Sequence, residues 1–241
     1  DTVMVNWIRG DNETGLYRAP YRFLEGLFLF PQVLAISAYP IFSKLFHEKQ
    51  PFAQSAADLL RGLFLISLPI AVGGTCIGMN MMQWLTPELG RAGGIVFILL
   101  LWSLPFIYAN FLLGTILNAT DRQQLNFKAS AWGLASNAVL NVPAIYWFGA
   151  YGAAVVTAVS QGIYCLIMMR YTRGFHLFTG LPRYAAIVAA CLVMAALLSL
   201  IDFAWYAEAP IGAAVYLAAL AGFQGVTWRE MQMLWSVARG R

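Results

Sequence analysis

Between Lys128 and Arg170 the chain runs 41 residues with no charged side chain and no histidine. A bilayer core takes roughly 20 apolar residues as helix, so this run has the length of two spans. At its centre stands Trp147-Phe148-Gly149-Ala150-Tyr151-Gly152-Ala153-Ala154, whose glycines suit a tight turn. The sequence therefore predicts a helical hairpin in a membrane, with helices over 127–147 and 151–171. Lipid offers no hydrogen-bond partners. The few polar groups of the run, Asn137, Asn141 and Gln161, must be satisfied by protein or face a wet cavity.

Composition agrees with a membrane setting. Hydrophobic residues make up 60% of the chain and charged residues 11%, against roughly 25% charged in soluble domains. The 15 Lys and Arg are scattered through short loops and form no basic stripe, which speaks against nucleic acid as a partner. The sequence opens at Asp1 with neither a basic leader nor a cleavage site, so no signal peptide is expected, and the chain reads as a fragment that begins inside a helix. Cys76, Cys165 and Cys191 lie far apart in apolar stretches, which predicts small helical hydrophobes and neither a disulfide nor a metal site. His47 and His176 fall in loops with no obvious partner. No nucleophile elbow, zinc-protease motif or P-loop is present. The expectation is a protein that is not an enzyme and takes no cofactor.

Seven long apolar segments follow one another, at 16–44, 59–85, 92–118, 127–147, 151–171, 183–202 and 210–228, and Thr2 to Ile8 reads as the tail of an eighth. The separators carry turn chemistry, as in Gly10-Asp11-Asn12-Glu13, His47-Glu48-Lys49-Gln50-Pro51 and Thr86-Pro87-Glu88. None of the segments alternates apolar and polar residues as a barrel strand would. The predicted fold class is an all-α polytopic bundle. Counted on alternate sides, eleven cations (Lys44, Lys49, Arg61, Arg122, Lys128, Arg170, Arg173, Arg183, Arg229, Arg239 and Arg241) oppose four (Arg9, Arg18, Arg22 and Arg91). The positive-inside rule then puts the C-terminus in the cytoplasm and the loop at Gly10 outside.

Prolines interrupt the first four spans, with Pro31 and Pro40 in the first, Pro69 in the second, Pro105 in the third and Pro143 in the fourth. Each removes a helical hydrogen bond and kinks or opens its helix. Such breaks are common in membrane helices, and they also suit helices that bend during alternating access.

Charge within a span is costly and marks a candidate site. Arg18, Arg22 and Glu25 fall at i, i+4 and i+7, on one helical face. Two guanidinium groups beside a carboxylate suit a diphosphate or an acidic sugar, because arginine offers planar paired donors to anionic oxygens. The bland alternative is that the arginines reach out to lipid headgroups while Glu25 pairs with Arg22. Amides form a second set, with Asn80 and Gln83 in the second span, Asn110 and Asn118 in the third, and Asn137 and Asn141, stacked four apart, in the fourth. They can tie helices together or line a hydrophilic cavity.

These residues carry a family resemblance. Glu13-Thr14-Gly15-Leu16-Tyr17-Arg18-Ala19-Pro20-Tyr21-Arg22 resembles the stretch that opens the second half of bacterial polysaccharide flippases of the O-antigen type, in the multidrug/oligosaccharidyl-lipid/polysaccharide exporter superfamily. Tyr39-Pro40-Ile41-Phe42-Ser43-Lys44-Leu45 is similar to a helix end of that family, Leu117 to Gln123 to one of its loops, and Asn137 through Asn141 to Ala154 to its late hairpin. Pro20 departs from the small residue usual there, and no conspicuous cation lies deep in the third to fifth spans.

The resemblance implies a fourteen-helix inner-membrane protein that moves a polyprenyl-diphosphate-linked oligosaccharide to the outer leaflet. Residues 1–175 would be the C-terminal six-helix lobe from the end of helix 7, and 176–241 two additional helices and a cytoplasmic tail. From the resemblance Arg22 and Arg18 would take a substrate-diphosphate or sugar-acid role, and with Glu25, Asn80, Asn137 and Asn141 from the polar sets above they are the candidate substrate-binding residues. Implied partners are the lipid-linked oligosaccharide, membrane lipids, the N-terminal lobe of the same protein, and a glycan polymerase or glycosyltransferases. A lipid II flippase, a drug or cation antiporter of the same superfamily and a non-transporting subunit of a glycan assembly complex stay open as alternatives.

Overall fold

The computed structural model describes residues 1–201 and 203–223, and among them every regular element is a helix. A short helix α1 (Thr2–Arg9) turns at Gly10 into α2 (Asp11–Leu27), which continues after Phe28 as α3 (Leu29–His47). Then come α4 (Ala53–Leu85), the pair α5 (Gly90–Leu101) and α6 (Leu104–Ala119), the long α7 (Gln123–Thr172), α8 (Leu181–Leu198) and α9 (Trp205–Gly222). Each of the seven predicted segments falls on helix, with the first broken into α2 and α3 and the third into α5 and α6. The seventh is α9, and its predicted end at 228 lies outside the described residues, as do Asp202, Arg229, Arg239 and Arg241.

Five helical stretches are long and apolar enough to cross a membrane among the described residues, by length and composition. One of them contains α7, which is two arms joined at Gly149 (φ 56, ψ −134). Glycine is needed there because other residues rarely adopt that backbone. At Gly152 the reason is space: a Cβ would stand 2.1 Å from the carbonyl oxygen of Ala144. The chain is a multi-pass membrane protein.

The arms of α7 are clamped at their turn by the other hairpin. Arg9 donates from Nε to the carbonyl of Ile145 at 3.1 Å and from its other guanidinium nitrogen to that of Tyr146. The Glu13 carboxylate accepts from the backbone N–H of Ala150 at 2.8 Å. A cation thus meets the carbonyl end of one arm and an anion the N–H end of the other, the polarity that helix dipoles favour. The turns at Gly10 and Gly149 therefore lie at the same end of the bundle, as the charge count requires.

The prolines divide into two kinds. Pro31 and Pro105 stand in the first turns of α3 and α6, just after a break, where a missing N–H costs little. Pro20, Pro40, Pro69 and Pro143 sit inside helices that run through them. Two of the orphaned carbonyls are taken up by tyrosines from other helices. Tyr108 Oη donates to Leu27, four residues before Pro31, and Tyr216 Oη to Leu65, four before Pro69, each at 2.9 Å.

The main core joins α1 to α7 around Tyr17, Leu24, Leu60, Leu104, Tyr108 and Leu112. A second buried cluster, with Leu65, Ile187, Cys191, Met194 and Tyr216, docks α8 and α9 on α4. Arg61, which falls within the second predicted segment and is counted with the cytoplasmic-side cations, lies inside α4 with 1% exposure. It reaches Asp58 at 3.3 Å, the carbonyl of Thr179 at 3.4 Å and the Tyr184 ring at 5.8 Å. A guanidinium so buried needs these partners, and they pin the 173–180 connection to α4.

Candidate functional site

Helix α2 buries Tyr17, Pro20 and Leu24 and exposes Arg18, Arg22 and Glu25 along the opposite face. This is the grouping that their spacing predicts. Arg18 and Arg22 line a cavity of about 570 Å³ with Gly15, Ala19, Phe23 and Thr86. Glu25 lies one turn farther along the helix, outside that lining. Among the described residues none of the three has an ion-pair partner, so Glu25 does not neutralise Arg22. The cavity carries two uncompensated positive charges.

Phe23 lines a second space as well. An apolar groove of about 530 Å³ runs between α2, α4, α5, α8 and α9, with walls that include Leu27, Ile70, Gly73, Phe97, Met194 and Leu217. Cationic cavity and apolar groove thus meet at one side chain. α8 and α9 contribute a wall of the groove, a role that their sequence did not suggest.

The amides gather elsewhere. Asn141, fully buried, donates from Nδ2 to the carboxylate of Asp1 at 2.7 Å and to Asn137 Oδ1 at 2.9 Å. The Thr157 hydroxyl lies 3.0 Å from the same carboxylate and 3.0 Å from the hydroxyl of Tyr17. Asn137 in turn donates to Ser160 at 3.1 Å. The cluster draws on α1, α2 and both arms of α7, so it exists only once the α7 hairpin has closed. Two adjoining cavities of about 290 and 350 Å³, both lined by Asp1, Asn137, Gln161 and Tyr164, open beside it. Asn110 Nδ2 bridges to Gln161 Oε1 at 3.0 Å, and Tyr164 Oη to Asn126 Oδ1 at 3.2 Å.

A carboxylate set beside two hydroxyls and a side-chain amide can hold a proton or a hard cation. Buried Asn141 Oδ1 has no hydrogen-bond partner here, which leaves one oxygen free for either. Among the described residues no group of three His, Cys, Asp or Glu side chains is placed to bind a metal. Asn80 is exposed on α4 and lines neither constellation. Asp1, Tyr17 and Thr157 were not singled out from the sequence. The available signal was an acidic residue at the start of a predicted membrane helix, which counts as a candidate site by default.

No family model matches the chain. The chain is similar to two proteins of the archaeon Haloferax volcanii. It is 25% identical over 175 residues to the probable flippase AglR, a match that covers 70% of this chain and 37% of AglR. It is 23% identical over 177 residues to the probable low-salt glycan biosynthesis flippase Agl15, covering 73% of this chain and 38% of Agl15. The chain thus spans less than two fifths of the length of these curated relatives. Among solved structures it resembles the lipid II flippase MurJ in an inward closed conformation, with a TM-score of 0.78 and 19% identity, over 91% of this chain and 49% of that one. That likeness is one of fold. These three proteins are flippases by name.

Proposed function

We propose that this chain is the C-terminal lobe of a membrane flippase that translocates a polyprenyl-diphosphate-linked oligosaccharide for surface polysaccharide assembly, of the O-antigen, capsule or exopolysaccharide kind. The observation that carries the reading is the junction at Phe23. A diphosphate joined to a long apolar chain needs paired cationic donors next to an apolar trough, and the Arg18–Arg22 cavity and the groove supply these side by side. In this reading Arg18 and Arg22 hold the diphosphate, the Asn137–Asn141 pair serves the Asp1 cluster, and Glu25 and Asn80, exposed outside the cavity lining, are assigned to sugars that extend beyond it. Residues 1–175 belong to the lobe, and 176–241 are two additional helices and a cytoplasmic tail, of which α8 and α9 add the groove wall. The protein sits in the inner membrane with its C-terminus in the cytoplasm, and an N-terminal lobe closes the other side of the cavity.

A lipid II flippase is the second reading, favoured by the fold likeness to MurJ. Both readings place the same kind of lipid diphosphate at Arg22 and differ in the sugar. The test is transport by the full-length parent protein in vesicles, supplied separately with lipid II and with a polyprenyl-diphosphate oligosaccharide. Arg22→Ala should lower transport of the true substrate roughly tenfold or more, the scale of one charge-assisted hydrogen bond, and Arg22→Lys should restore part of it. Unchanged transport in both variants would sink the role of Arg22.

A further inference from the structure

At the other end of α4 lies a cavity that the flippase reading does not use. Where α7 ends, its last turn, the turn at Arg173–Phe175 and the irregular 176–180 segment enclose about 430 Å³. Its polar lining includes Arg170, Arg173, His176 and Thr179, and its apolar lining Met169 and Phe178. No acidic residue lines it. Among the described residues neither arginine has a carboxylate within ion-pair distance. His176 holds a left-handed backbone (φ 50, ψ 46), uncommon for a residue with a side chain, and this turns the chain back over the cavity.

The position narrows the ligand. Arg170 is the first charge after the 41-residue uncharged run, so the cavity sits where the apolar span meets the headgroup layer. Thr179, on its wall, accepts from Arg61 near the start of α4, whereas the Arg18–Arg22 cavity touches Thr86 just beyond the helix end. At 1.5 Å per residue, 61 and 86 stand about 37 Å apart, so this is a separate site on the opposite membrane face. Exposed Phe178 (46%) and Leu181 (80%) continue its apolar wall towards α8.

We propose that this cavity binds the phosphate of an anionic phospholipid, with Arg170 and Arg173 on the phosphate oxygens and the Phe178 side against the acyl chains. Paired guanidinium groups match phosphate oxygens, and basic pockets between membrane helices are suited to such headgroups. The unneutralised cations account for the phosphate, and the apolar wall for a lipid rather than a free anion.

The test is native mass spectrometry of the full-length protein titrated with phosphatidylglycerol, phosphatidylcholine or inorganic phosphate. Two cations of ordinary strength give a preference for phosphatidylglycerol over phosphatidylcholine of roughly thirtyfold. Arg170→Gln with Arg173→Gln should abolish that preference, while Lys44→Gln with Lys49→Gln, on exposed residues that do not line the cavity, should leave it. Equal loss in both pairs would mean diffuse surface charge and overturn the site. So would retention in the arginine pair. Displacement of phosphatidylglycerol by equimolar inorganic phosphate would overturn the lipid assignment. Because the readout is lipid retention and not transport, failure here is distinguishable from failure of the flippase reading.

Discussion

Tyr216 on α9 donates its hydroxyl hydrogen to the backbone carbonyl of Leu65 on α4 at 2.9 Å, the carbonyl that Pro69 deprives of its helical N–H. A proline in a membrane helix thus becomes a docking point for another helix. The bond is buried, so Tyr216→Phe leaves a carbonyl with no partner and should cost about 1–3 kcal/mol. Pro69→Ala returns an N–H to Leu65, and in that background Tyr216→Phe should cost distinctly less. A double-mutant cycle of unfolding in detergent measures this. Additive effects would show that the tyrosine does not serve the proline's carbonyl.

The hairpin of α7 makes a graded prediction. Gly152→Ala drives a methyl into the Ala144 backbone, 2.1 Å from its oxygen, and backbone cannot step aside. Gly149→Ala adds strain at positive φ and meets the Glu13 carboxylate at 2.4 Å. Each should destabilise by about 1–3 kcal/mol. Gly162→Ala, whose methyl would stand 3.8 Å from the Phe106 ring, should not destabilise and should raise stability by up to about 1 kcal/mol through helix propensity. Thermal unfolding of the three variants orders them, and an equal effect at Gly162 would contradict the packing described.

Asn141 makes the strongest statement about the Asp1 cluster, because its amide is the shortest contact to the carboxylate, at 2.7 Å. Asn141→Leu removes that donor and strands a partly buried charge, so stability should fall by about 1–3 kcal/mol. Thr157→Val in the same cluster removes only a shared hydroxyl and should cost less. Chemical unfolding compares the two, and a reversed order would show that Thr157 is the principal support of Asp1.

The groove can be filled without disturbing the fold. Ala213 lines it and is exposed, so Ala213→Trp adds bulk into open space. If the groove holds the lipid chain, transport by the full-length protein should fall roughly tenfold while the unfolding temperature stays near that of the parent. Full transport with a tryptophan in place would remove the groove from the substrate path.

Hydropathy and turn residues made much of this architecture legible. The charge-free run located both arms of α7, and its glycines marked the turn. The breaks within the first and third spans were less visible, because mean hydropathy does not register whether an apolar run is one helix or two. Pro31 and Pro105 stood near them, but a proline in a helix's first turn and one in its middle read alike in sequence. The burial of Arg61 was not visible for a related reason: its contacts come from Thr179 and Tyr184, far away in the chain, as well as from nearby Asp58.

The sequence by itself determined which segments are apolar enough to enter a membrane, that they are helical, and that Arg18, Arg22 and Glu25 share one face, since these follow from local composition and the 3.6-residue period. Only the tertiary structure decided what each face meets. It separated the arginines from the Asn137–Asn141 pair, brought Asp1 to Asn141 across 140 positions, and set Phe23 between charge and groove. Periodicity orients a side chain about its own helix axis, whereas its neighbours are chosen by how helices pack against one another.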